Sequence, residues 1–161
     1  MSDMSFREKS ICGTLVAVSV VAALYFWTVV EMLGAGTVNL VALGKLAVSL
    51  TIFFIIVEIV FHAVIAARSP RDAGESEDER DRLIDLKGER VGGLLLGIGV
   101  AFTIGHIALN SLMESVVSPH SGLTELLSSS HFVTANLLLF SLTVSEIGKY
   151  VSQLVYYRRG A

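Results

Sequence analysis

The sequence predicts an all-α integral membrane protein: a four-transmembrane-helix bundle with both termini in the cytoplasm and a third helix that extends into the cytoplasm. Three observations carry this expectation. The first is apolar excess: of 161 residues, 53% are hydrophobic and 17% charged, against about a quarter charged in a water-soluble domain. Mean hydropathy is +0.68, so lipid rather than water is the expected solvent. The second is that the apolar residues fall in four runs, at about 11–33, 46–67, 91–113 and 132–156. Each has the ~20 residues a helix needs to cross ~30 Å of hydrocarbon. The third is the placement of positive charge.

Lysine and arginine in short connections are retained in the cytoplasm. Arg7 and Lys9 precede the first run, Arg158 and Arg159 follow the fourth, and Arg68, Arg71, Arg80, Arg82, Lys87 and Arg90 lie between the second and third. The other two connections offer only Lys45. Both termini and the charged segment 68–90 are therefore expected inside, and the loop 114–131 outside. Tyr25 and Trp27 then approach the outer interface, and Tyr156 and Tyr157 the inner one, as aromatic belts do. The first run is too long for the apolar part of a signal peptide and no small-residue cleavage site follows it, so it reads as a retained span. The expected localisation is a multi-pass protein of the inner membrane, one membrane domain over 1–161.

Composition excludes several functions. A net charge of −3 gives no basic face for nucleic acid. A lone cysteine, Cys12, makes neither an internal disulfide nor a thiolate metal site. No nucleophile–base pair, glycine-rich phosphate loop or complete ligand set is visible, so neither enzyme activity, metal nor cofactor is expected.

The charged stretch reads as the cytoplasmic root of the third helix. Ser76 followed by Glu79 is a capping-box pattern, with Ser69–Pro70 and Gly74 supplying a turn before it. No helix breaker follows until about Met113. Asp78 and Arg82 are spaced to pair, while Asp81, Asp85 and Glu89 form an acidic column that repels itself. The fourth span runs antiparallel to the third and is expected to bring Arg158 and Arg159 near the level of Glu89 and Asp85, with Arg90 a further member of this charged network. Such a column is either a solvated, salt-bridged face or a docking site for a cytosolic protein. In the outer loop, 123–127 has the composition of a short interfacial helix.

Ionisable groups inside the bilayer default to a functional reading. Glu58 and His62 lie one turn apart in the second span, about 12–14 Å and about 7 Å from its inner end. Glu146 and Lys149 lie about 15 Å and about 10 Å deep in the fourth, with Gln153 on the same side. These four groups are expected to share one inner slab, each pair able to close within its helix and the two pairs able to join each other. They form either a static polar network or a proton or cation path, with Glu58 or Glu146 titrating and His62 relaying. Further out, His106, Asn110 and Asn136 are spaced to hydrogen-bond across helices. Gly93, Gly97, Ala101 and Gly105 recur every four residues, a small-residue groove that seats the second span, the fourth span or a second copy.

Taken together, residues 4–10 (MSFREKS), 58–66 (EIVFHAVIA), 78–93 (DERDRLIDLKGERVGG) and 146–160 (EIGKYVSQLVYYRRG) resemble a family of small bacterial inner-membrane proteins. These carry four predicted spans and a DERD-type signature before the third. The resemblance implies the same topology and singles out Glu58, His62, Asp78–Asp81, Glu89, Arg90, Glu146, Lys149, Arg158 and Arg159; it implies no reaction. Two functions are expected from the residues. One is a homo-oligomeric proton- or cation-linked transporter, the other a scaffold that docks a cytosolic partner through its acidic helix.

Overall fold

The computed structural model describes residues 4–37, 39–68, 78–116 and 130–159. They form four helices: α1 (Phe6–Gly34), α2 (Leu40–Arg68), α3 (Glu79–Val116) and α4 (Ser130–Arg159). No strand occurs among the described residues. Each helix contains one of the predicted apolar runs and adds polar turns at its ends. α1, α2 and α3 are each long and apolar enough to cross a membrane. α4 is as long, but Ser141, Ser145, Glu146, Lys149, Ser152 and Gln153 dilute it, and it does not join that set.

The helix ends follow local chemistry. α1 opens on a capping box: Ser5 Oγ accepts from the Glu8 N–H at 3.2 Å, and Glu8 Oε2 accepts from the Ser5 N–H at 2.8 Å. It closes through Gly36, whose φ of +64° favours glycine. The Gly36 and Thr37 N–H groups then return to Leu33 and Met32. α2 starts six residues before the expected span because the Asn39 side chain caps it, accepting from the Ala42 N–H at 3.0 Å. Lys45 therefore lies in a helix rather than a connection. At α3, the Asp78 carbonyl accepts from the Arg82 N–H. The expected Asp78–Arg82 ion pair does not form among the described residues. The Ser76 cap, the turn at 69–74 and the short helix at 123–127 lie outside the described residues.

The helices pack chiefly in the order α2–α1–α4–α3, and the α3–α4 contact is the most extensive. In lipid, apolar surface gains little by leaving the solvent, so close backbone approach and polar bonds across helices must hold the pair together. Both are present. Methyl groups built on Gly88, Gly92 or Gly99 would meet Gln153, Lys149 with Ser145, and Ser141. Gly148 in turn accommodates the Leu95 side chain. Ser145 Oγ donates to the Gly92 carbonyl at 2.8 Å.

The predicted stripe is a different one and seats neither α2 nor α4. A Cβ on Gly93, Gly97 or Gly105 would find nothing within 4 Å, and all three residues, with Ala101, are exposed. At 3.6 residues per turn they lie on the face of α3 that points away from Gly88, Gly92 and Gly99.

At the end of the bundle far from Arg7, Tyr25, Val29, Leu43 and Phe132 form a small core. Phe26 packs edge-on against both Tyr25 and Phe140. Tyr25 is thus a core residue and not part of an interfacial belt. Trp27 is 69% exposed and donates its indole N–H to Glu31. Along the most apolar stretch of α2 no residue is buried. Such exposed apolar surface is costly in water and neutral against acyl chains.

Candidate functional site

Two polar clusters lie at the end of the bundle where α1 and α3 begin and α2 and α4 finish. The first joins α1 to α2. Thr14 Oγ1 donates to Glu58 Oε2 at 2.8 Å, His62 Nε2 lies 3.0 Å from the same oxygen, and Ser10 Oγ lies 3.2 Å from His62 Nδ1. The antiparallel helices explain the match, since Ser10 and Thr14 are one turn apart on α1 as Glu58 and His62 are on α2.

When Glu58 is ionised it only accepts, and His62 Nε2 then donates to it while Nδ1 accepts from the Ser10 hydroxyl. The result is a continuous string, Thr14–Glu58–His62–Ser10. The Glu58 side chain is 16% exposed and that of His62 45%. Glu58 Oε1 is buried and has no hydrogen-bond partner among the described residues.

Ser10, His62 and Glu58 have the composition of a hydrolytic triad. Ser10 lies inside α1, however, where backbone N–H groups serve the helix ladder and cannot converge on an oxyanion. The chemistry such a string supports is proton transfer along its bonds.

The second cluster joins α3 to α4 and meets α1. Each step of four down α3 is matched by a step of four back along α4. Tyr157 Oη donates to Asp81 Oδ1 at 2.8 Å, Gln153 Nε2 to Asp85 Oδ1 at 3.2 Å, and Lys149 Nζ lies 2.5 Å from Glu89 Oε1. Arg7 Nε reaches Asp81 Oδ2 at 3.1 Å, and Arg7 Nη1 is 4.0 Å from Asp85 Oδ2.

The acidic column is therefore met by Arg7, Tyr157, Gln153 and Lys149. Arg158 and Arg159 are exposed and form no ion pair among the described residues. The reason is register. The expected match set Arg158 level with Glu89, whereas the packed helices bring Lys149 there and carry Arg158 past Asp81. Arg90 is exposed as well, while Arg80 donates to the Tyr157 carbonyl at the end of α4 at 3.4 Å. Burial, and then the bond to Asp81, push the Tyr157 phenol well above its ordinary 10.0.

The expected four-membered inner cluster is divided. Lys149 turns to Glu89 on α3 and makes no ion pair with Glu146. Because α1 stands between α2 and α4, no hydrogen bond among the described residues links Glu58 or His62 to Glu146 or Lys149. Tyr150 of α4 is hydrogen-bonded to Glu146 and lies within electrostatic reach of Lys149 and Glu58.

The outer set is not assembled. Asn110 bonds His106 within α3 at 3.4 Å, and Asn136 donates to its own helix at the Phe132 carbonyl at 2.9 Å.

Ser10, Thr14, Arg7, Tyr150 and Tyr157 were missed by sequence reasoning. A signal existed for Ser10 and Thr14: two hydroxyls at i and i+4 in one span mirror two ionisable groups at i and i+4 in the next. No family model, curated protein or solved structure matches the chain, so the likeness to the DERD-type family rests on its motifs alone.

Proposed function

We propose that this is a four-span protein of the bacterial inner membrane that conducts or couples protons or small cations through Glu58. The observation that carries the reading is the Thr14–Glu58–His62–Ser10 string. A proton accepted at His62 Nδ1 from the Ser10 side releases the Nε2 proton to Glu58, which becomes a neutral carboxyl. The starting tautomer returns when Nε2 takes up a proton and Nδ1 releases its own through water at the exposed side of the ring. The exposed imidazole gives the string an entry, and the more buried carboxylate gives it a terminus.

The length of α4 and its antiparallel packing on α3 favour a fourth span whose polar residues are turned toward neighbouring helices. The basic residues at one end of the bundle favour cytoplasmic termini. The open stripe Gly93–Gly97–Ala101–Gly105, flanked by exposed Leu94 and Ile98, favours a homodimer through α3, which would supply the walls that four helices in a row lack. The scaffold alternative loses support, because the column Asp81, Asp85 and Glu89 is engaged within the chain.

The test is proton flux in proteoliposomes followed with an entrapped pH dye. Glu58→Gln is expected to abolish it and His62→Ala to slow it about a hundredfold, the low end for loss of a proton-transfer group. Flux that survives Glu58→Gln sinks the reading.

A further inference from the structure

Between α1 and α2 lies a cavity of about 630 Å³ that opens along the bundle surface past exposed Val16, Val20 and Phe53, a volume typical of small-molecule sites. Its walls are almost wholly apolar. Val16 and Val20 of α1 face Phe53, Phe54 and Phe61 of α2, and among the described residues Glu58 is its one carboxylate. It runs from Met4 and Lys9, near the start of α1, to Val20 and Val21, roughly half-way along that helix. The Phe61 ring packs onto Gly13 so closely that a methyl there would fall inside the ring.

Glu58 enters this space half-satisfied. Oε2 is held by Thr14 and His62, while Oε1 is buried without a hydrogen-bond partner among the described residues. An orphaned carboxylate oxygen beside an apolar cavity is costly unless a positive charge approaches it. Aromatic faces within the same walls attract cations too, and do so most strongly where water is excluded. An acyl chain would fill the volume but leave Oε1 unpartnered. A small hydrated cation would satisfy the oxygen but not the walls.

We infer that the α1–α2 cavity is a binding site for lipophilic monocations, the aromatic or alkyl ammonium and phosphonium class, with Glu58 as counter-ion and Phe53, Phe54 and Phe61 as the apolar and π surface. Lys9 is the one other charged residue of the lining among the described residues. It is exposed, so its flexible stem can carry the ammonium out to water. The inference deepens the proposed role of Glu58 by naming what exchanges with its proton.

The experiment is calorimetric titration of the full chain in nanodiscs with tetraphenylphosphonium, with the isosteric anion tetraphenylborate and with dodecanoate as parallel probes. Saturable binding of one phosphonium per chain is expected, with neither anion binding at the cavity. Glu58→Gln should weaken it at least about thirtyfold, the low end for loss of a buried counter-ion. Val20→Trp, which fills the cavity while leaving the carboxylate in place, should weaken it comparably.

Both variants are first checked for monodisperse elution. If one fails to fold, the other decides. Absence of saturable binding, equal binding of tetraphenylborate, preference for dodecanoate, or wild-type affinity in a folded variant overturns the inference. Phosphonium binding without proton flux would leave this site standing and remove the proton path; flux without binding does the reverse.

Discussion

Arg7 Nε lies 3.1 Å from Asp81 Oδ2, tying the first turn of α1 to the first turn of α3. Tyr157 from the last turn of α4 donates to the other oxygen of the same carboxylate. Three helix ends thus meet on one side chain. Asp81→Asn is expected to destabilise the protein by about 1–2 kcal/mol, moderated because the site is partly exposed. Arg158→Gln and Arg159→Gln should stay within about 0.5 kcal/mol, as for unpaired surface charges. Thermal unfolding in detergent separates the two. Equal effects would return the C-terminal arginines to the acidic column.

Tyr157 gives this end of the bundle a pH dependence. Its phenol is held above the ordinary value of 10.0. A group whose folded pKa is raised contributes stability that is complete below its unfolded pKa and lost as pH rises through the folded one. The contribution is therefore present throughout the neutral range and fades only in strong alkali. In ultraviolet titrations, the wild-type minus Tyr157→Phe difference should show a phenolate forming above pH 10.0, and Asp81→Asn should bring it downward.

Gly92 and Gly97 differ by little more than one turn of α3 and should behave oppositely. A Cβ on Gly92 falls 3.3 Å from the Ser145 carbonyl oxygen and 3.2 Å from Lys149 Cβ. Gly92→Val should therefore cost the α3–α4 pair about 1–3 kcal/mol through overpacking. A Cβ on Gly97 meets nothing within 4 Å. Gly97→Val should leave the monomer as stable as before and, if the exposed stripe seats a second copy, abolish a cross-linked dimer. Equal destabilisation by both would refute the assignment of the two faces.

Glu89 and Lys149 are a cross-helix pair whose lysine side chain is mostly buried. Glu89→Lys alone sets two ammonium groups together and should lower yield and melting temperature. Glu89→Lys combined with Lys149→Glu should recover most of the loss. A double-mutant cycle is expected to give a coupling of about 0.5–3 kcal/mol. No coupling would mean that the pair is incidental.

Ser10→Ala and Thr14→Val separate relay from packing on the α1–α2 string. Loss of the Thr14 hydroxyl removes one of the two groups that hold Glu58 Oε2 and should cost about 1 kcal/mol of stability. Ser10 is at the accessible end, so Ser10→Ala should leave the melting temperature unchanged while slowing proton flux. Flux unaltered by Ser10→Ala places proton entry directly at His62.

Much of the fold was legible because lipid makes a strong demand on composition. A helix that meets acyl chains must be apolar over some twenty residues, and that demand is written in the runs of α1, α2 and α3. The pairing of Glu58 with His62 follows from a spacing of four. The capping rule applied to Ser76 operates equally at Ser5 and Glu8, where the structure describes it.

Partners across helices were beyond the sequence, because periodicity fixes which residues share a face but not which neighbour that face meets. Two small-residue stripes run along α3, Gly88–Gly92–Gly99 and Gly93–Gly97–Ala101–Gly105, and composition does not rank them. Packing turned the first to α4 and left the second open. Rotation and axial register likewise gave Glu89 to Lys149 rather than to an arginine, and brought Ser10 and Thr14 to His62 and Glu58. The sequence by itself determined the helices, their apolar lengths and the clustering of charge at one end, since each follows from local composition and solvent. Tertiary structure alone decided how the polar groups are matched and that Glu58 borders a cavity, since these depend on how one helix is rotated and shifted against the next.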